Sequence, residues 1–197
     1  MSPWPAPFSL SGEYVSVVPL SQDHHDDLVE ATADGELHKL WYTMIPDGEG
    51  MAAEIDRRLS LPTMLPFAII DNASGKAVGM TTYMNIDQTN KRLEIGSTWY
   101  RKSVQRTSLN TECKLLLLQY AFENLDCICV EFRTHFVNVQ SRRGIERLGA
   151  KFDGVLRSNM IMANGSIRDT AVYSVIASEW TTVKANLTWK LESLKSR

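Results

Sequence analysis

The 197-residue chain predicts one mixed α/β domain, and its organisation points there from three sides. Three consecutive strand-like runs, residues 66–71, 76–87 and 92–100, are separated by turn-forming tetrapeptides, the pattern of a hairpin-built sheet. From residue 110 onward, helical and strand-like segments alternate, which is the pattern of βαβ crossovers. No linker, internal repeat or low-complexity tract divides the sequence, so residues 1–197 read as one domain.

Each element has a local reason. Residues 1–12 hold Pro3, Pro5, Pro7 and Gly12 and read as an irregular arm. Residues 14–18 are rich in β-branched side chains and form a short strand, which Pro19 is expected to stop. Ser21 or Asp23 caps an acidic helix running to about Ala33. Residues 37–50 read as a short helix and a loop, and residues 49–61 as a helix ended by Pro62. The turns 72–75 and 88–91 join the three strands. A helix over 110–125 leads to a strand at 127–135. A second helix over 138–148 has Asn138 as N-cap and Gly149 as its stop. Strands near 151–162 and 168–177 flank the Asn164-Gly165 hairpin turn, and a terminal helix starts at Glu179.

With 44% hydrophobic and 22% charged residues, the chain can bury a core without staples. A net charge of −2 gives no global electrostatic case for nucleic acid. Cys113, Cys127 and Cys129 form no CxxC pair and are odd in number, which suits a reduced, cytoplasmic protein. No signal-peptide pattern opens the chain, and no apolar run approaches the roughly 18 residues of a membrane span. No His/Asp/Glu cluster has metal-ligand spacing, so no metal is expected.

The most informative stretch is Glu94 to Glu112: a strand, a polar and basic loop, then a buried helix. The first turn of a helix presents unpaired N–H groups and a partial positive charge, which hold a phosphate. Arg101, Lys102, Gln105 and Arg106 stand just before that turn and add mobile positive charge. A phosphate-bearing ligand is one reading; an ordinary strand-to-helix connection with solvated basic residues is the other.

Several motifs occur together and in order: Glu94-Ile-Gly96 with Trp99, Val104 to Thr111, Asn138-Val-Gln-Ser141, and Leu148-Gly-Ala150 with Phe152 and Gly154. Arg168-Asp169, Tyr173-Ser-Val175 and Glu179-Trp180 complete the series. In this combination the chain resembles the GNAT superfamily of acyl-CoA-dependent N-acyltransferases, and within it the RimJ/RimL-like branch. The resemblance implies a mixed, mostly antiparallel sheet flanked by helices, with two strands splayed at an acyl-CoA cleft. It implies acetyl-CoA as co-substrate, a primary amine as acceptor (a protein or peptide N-terminus, or a small molecule), and direct transfer in a ternary complex. A homodimer is in keeping with it.

The family's phosphate-loop pattern, Gln/Arg-x-x-Gly-x-Gly/Ala, maps onto Gln105, Arg106, Thr107, Ser108, Leu109 and Asn110, followed by Thr111. Ser108 and Asn110 depart from the small residues of that pattern; a serine fits there if its φ is negative, and Asn110 can still cap the helix. By the same resemblance, backbone near Ser97, Thr98 and Trp99 polarises the thioester carbonyl, and Asn138 holds the pantetheine arm. Arg143, on a basic face with Arg142 and Arg147, reaches towards the adenosine 3′-phosphate. Glu94 is the expected base and Ser141 the proton donor to the leaving thiolate. Trp41, Tyr42 and Met44 line or cover the acceptor pocket, and His135 is a base or a substrate contact. Each also has a plain structural reading: sheet core for Ile95 and Trp99, a cross-strand ion pair for Glu94, helix caps for Asn138 and Ser141. Cys113, at helical spacing with Leu116, Leu117 and Tyr120, is read as core. An acyl-CoA-binding sensor without catalysis is the competing function. A nucleotide-binding protein lacks its GxGxxG or GxxxxGK[ST] signature here.

Overall fold

A computed structural model describes residues 4–195 of the chain. Eight strands form one sheet in the order β1-β2-β3-β4-β5-β6-β8-β7. They are β1 (Leu10–Ser11), β2 (Val15–Pro19), β3 (Met64–Asp71), β4 (Ala77–Asp87), β5 (Arg92–Tyr100), β6 (Cys129–His135), β7 (Lys151–Ile161) and β8 (Ile167–Ile176). Every neighbouring pair is antiparallel except β5 and β6. The parallel pair is joined by the crossover helix α3 (Ser108–Gln119), as a parallel connection demands. The remaining helices are α1 (His25–Ala33), α2 (Met51–Ser60), α4 (Val139–Leu148) and α5 (Trp180–Lys195).

Alternation along the strands gives the sheet two unlike faces. On one, Val15, Val17, Phe67, Ile69, Tyr83, Leu93, Ile95, Val130, Phe132 and Tyr173 pack under α3, α4 and α5. On the other, Ala68, Met80 and Trp99 pack under α1 and α2 through Leu28, Met51 and Ile55. The central helix buries Leu109, Cys113, Leu117 and Ala121, one residue per turn along its sheet side. It closes in a π-turn over Tyr120–Asn124.

Several sequence expectations need correction. The helix expected over 110–125 starts at Ser108 and is capped by Thr107, whose side-chain oxygen accepts the Leu109 N–H at 3.3 Å. Asn110 therefore does not cap; it lies inside the first turn. Pro19 ends β2 as expected, itself the last residue of the ladder in register with Phe67. The irregular arm is tied down: Leu10–Ser11 pairs with β2, and Phe8 stacks on Tyr120 with 3.7 Å between ring centroids. Residues 1–3 of that arm lie outside the described residues. The other elements fall within a few residues of expectation, including Asn138 as N-cap of α4, with Oδ1 accepting Ser141 N–H at 3.0 Å, and Gly149 as its left-handed stop at φ 104°. Among the described residues, no helix is long and apolar enough to cross a membrane.

Candidate active site

The parallel ladder between β5 and β6 is short. It runs from Arg92↔Cys129 through Leu93↔Val130 to Glu94↔Glu131 and stops, although β5 continues to Tyr100 and β6 to His135. Beyond Glu94 the two strands do not pair, so backbone groups of β5 face an open slot. Opposite that slot, on the β4 side, β5 carries a bulge. Thr82 pairs with Gly96 and Met80 with Trp99, so Ser97 and Thr98 together oppose Thr81. Ser97 takes the left-handed φ of 48° that accommodates the extra residue. The insertion lets Thr98 face α3 while Trp99 turns into the core under α1 and α2. A buried arginine braces the bulge. Arg58 of α2, 2% exposed, donates to the Ser97 carbonyl and to Thr82 Oγ1, both at 3.0 Å, and is paired with Glu54 at 2.7 Å.

The slot opens onto residues 101–107 and the amino end of α3. Arg106 has φ 65°, so the strained left-handed position of this loop falls there, outside the helix. Ser108 already has helical backbone, and the site therefore makes no demand for glycine at that residue. Gln105 is held by a bond from its Nε2 to the Tyr100 carbonyl and by one accepted from Gln140 at 3.3 Å. Arg106 and Thr107 are exposed, and Asn110 Oδ1 is buried with no hydrogen-bond partner. Arg101 does not supply mobile charge: it is tied to Asp34 at 3.1 Å and Glu30 at 3.2 Å. Arg142 is also occupied, donating to Tyr173 Oη at 2.8 Å and lying over Phe136, whereas Arg143 is exposed.

On the α1–α2 face, Glu94 lies buried where the ladder ends, 4% exposed. Its Oε2 accepts from Asn85 Nδ2 at 2.7 Å and lies 3.5 Å from Arg133 Nε. Burial pushes its carboxyl above the ordinary range, and the Asn85 bond and Arg133 charge only partly oppose that. Gly96 makes room for it: a Cβ there would lie 2.6 Å from Glu94 Oε1. A hollow of about 180 Å³ is lined by Asn85, Glu94, Glu131 and Arg133, and a wider groove of about 640 Å³ continues over β6, β8 and β7. Glu131 is bonded by both Arg92 and Arg133, so its charge is largely spent within the groove.

Trp41, Tyr42 and His135 meet on the same face, with ring centroids 5.7 Å apart for Trp41–Tyr42 and 5.5 Å for Trp41–His135. His135 Nδ1 accepts the Val137 N–H at 3.3 Å, which places the imidazole proton on the buried, unpartnered Nε2. Burial, helped by Arg168, depresses the His135 pKa, so the ring is neutral and presents a donor. Nδ1 is thus taken up by the backbone, and Nε2 is the ring's only donor. Among the described residues, no group of His, Cys, Asp and Glu could hold a metal ion.

Sequence reasoning missed Arg58, Asn85, Lys114 and Arg133. Arg58 had a signal, since it shares a helical stripe with Met51 and Ile55. The others lie in strands or apolar runs whose spacing carries no comparable mark.

A slot between parallel strands, bulged on its far side and opening at a helix amino end, defines an acyl-CoA-type transferase fold. The family model described as "Acetyltransferase (GNAT) domain" matches residues 15–151, and the chain belongs to that family. A GCN5-related N-acetyltransferase from Brucella melitensis is 34% identical, with a TM-score of 0.86 over 95% of this chain and 86% of that one. The protein named "Putative ribosomal N-acetyltransferase YdaF" of Bacillus subtilis (strain 168) is 33% identical over 106 residues, 54% of this chain and 57% of that protein. The ribosomal-protein-S5-alanine acetyltransferase of Vibrio fischeri shares the fold, with a TM-score of 0.70 at 15% identity over 88% of this chain and 98% of that one.

Proposed function

We propose that this protein transfers an acetyl group from acetyl-CoA to a primary amine, by direct attack in a ternary complex. The observation that carries the reading is the ladder of β5 and β6 ending at Glu94↔Glu131, beside the amino end of α3. In this reading, backbone N–H groups of residues 105–111 hold the diphosphate, with Arg106 and Arg143 as exposed charges within the same region. The arm pairs with the unladdered backbone of β5 as an added strand would. The residues fit such a ligand because the backbone of β5 beyond Glu94 is left unpaired by β6. Asn138 Oδ1 is already committed to its cap, so only its Nδ2 is left for the arm.

Acetyl-CoA supplies the activated acyl carbon. The chain's own groups do the rest. Glu94, its basicity raised by burial, takes the proton that the attacking amine must lose, directly or through a water in the hollow beside it. In this reading a backbone N–H near residues 97–99, beside the bulge, polarises the thioester carbonyl, where negative charge develops on oxygen. Ser141, half-buried in the first turn of α4, delivers a proton to the sulfur. His135 Nε2–H, Trp41 and Tyr42 contact the acceptor. The groove's carboxylates are largely paired with arginines, which favours the α-amine of a peptide or protein over a polycation.

The test is turnover of acetyl-CoA against a panel of peptides and small amines, with binding followed by thermal shift. Glu94→Gln is expected to keep acetyl-CoA binding and to lose about 10²-fold or more in kcat. Wild-type rate is expected to fall as pH drops through the raised Glu94 pKa, and the variant to lack that limb. Binding without turnover across the panel would instead establish the sensor.

A further inference from the structure

Lys114 is a buried cation without a buried anion. It lies on the sheet side of α3 and is 6% exposed. Its Nζ donates to Thr98 Oγ1 at 2.9 Å and to Thr81 Oγ1 at 3.4 Å, and sits 6.0 Å from the centroid of the Phe132 ring. Among the described residues, no carboxylate lies within ion-pair distance of it. The neighbouring acid, Glu112, is turned away to accept the N–H groups of Glu13, Tyr14 and Val15.

Position gives this cation a direction. Thr81 and Thr98 face each other across the β5 bulge, and Phe132 is the first residue of β6 beyond the end of the parallel ladder. The ammonium therefore sits at the apex of the slot, on its α3 side. An ammonium has three donors, and two threonine hydroxyls satisfy two of them without neutralising the charge. A methionine or leucine would fill this space at far lower desolvation cost. The pKa of Lys114 is pulled down by burial to about 8, which leaves it charged at neutral pH but short of a partner.

We propose that the Lys114 ammonium is the counter-charge for the coenzyme A sulfur during acyl transfer. The inference rests on the acyltransferase reading above. The amine nitrogen forms its bond to the acyl carbon, the C–S bond breaks, and its electron pair goes to sulfur. Lys114 balances that negative charge until the Ser141 hydroxyl or water supplies the proton, which solvent restores. The amine's own lost proton leaves by Glu94. No oxidant or further reactant is needed.

The experiment compares binding of coenzyme A and desulfo-coenzyme A, and follows the ultraviolet thiolate absorption of bound coenzyme A against pH. Wild-type protein is expected to hold bound coenzyme A with about tenfold or more thiolate at neutral pH than free coenzyme A has. It is expected to bind coenzyme A more tightly than the desulfo compound. Lys114→Met is expected to bind the desulfo compound as wild type does and to leave the bound thiol protonated. An ordinary thiol titration in the wild-type complex, or a thiolate band retained in Lys114→Met, overturns the proposal. If the variant does not fold, the wild-type titration decides alone. Binding of neither compound to wild type overturns the acyltransferase reading itself.

Discussion

Replacing Lys114 by methionine tests the energetics of the buried ammonium through folding alone. The lysine pKa is about 8 in the folded chain against an ordinary 10.5, because burial disfavours the charged form. Below pH 8 both folded and unfolded chains carry the proton, and the full cost of burying it is present. Between pH 8 and 10.5 the unfolded chain holds the proton that the folded chain has released, so stability rises with pH across that window. The shift corresponds to about 3 kcal/mol. Thr81 and Thr98 bond each other at 2.7 Å, so their hydroxyls keep a partner when the ammonium is gone. Lys114→Met is therefore expected to be the more stable protein at pH 7, and its advantage to shrink by about 3 kcal/mol as pH reaches 10.5. Urea titrations of both proteins across the range, followed by tryptophan fluorescence, give the difference with other titrating groups cancelled. A gap that stays constant with pH, or a variant less stable at pH 7, refutes the reasoning.

Two further outcomes follow from close contacts. Gly96→Ala would place its Cβ 2.6 Å from both Glu94 Oε1 and Met84 Sδ, pushing the carboxylate aside on backbone that tolerates alanine; kcat is expected to fall about 10²-fold with acetyl-CoA affinity retained. Glu112→Gln weakens the carboxylate's bonds to the N–H groups of Glu13, Tyr14 and Val15, and is expected to cost about 3 kcal/mol in urea denaturation. Faster hydrogen exchange at the start of β2 would show where the loss falls.

Much of the fold was legible in the chain because its signals are local. The turn at Asn164-Gly165, the cap at Asn138, the stop at Gly149 and the alternation of β5 each depend on a few neighbouring residues. The family was legible for a related reason: motifs from Glu94 to Trp180 keep their order whatever the fold does in between. Local signals also misled. Asn110 is as good a cap by type as Thr107, and the choice fell on Thr107 because the loop turns left-handed at Arg106, one residue earlier. Arg101 looked like free charge until α1 brought Glu30 and Asp34 against it.

By itself, then, the sequence determined which segments become strands and helices, and which loop precedes the central helix, since propensity, periodicity and turn chemistry act over a handful of residues. Tertiary structure alone decided that β5 and β6 part after Glu94, that Arg58 braces Ser97, and that Lys114 is buried beside Thr98 with no acid to answer it. Those facts depend on which distant groups share a low-dielectric space. Charge, hydrogen bonding and burial are properties of that space and not of any one stretch of chain.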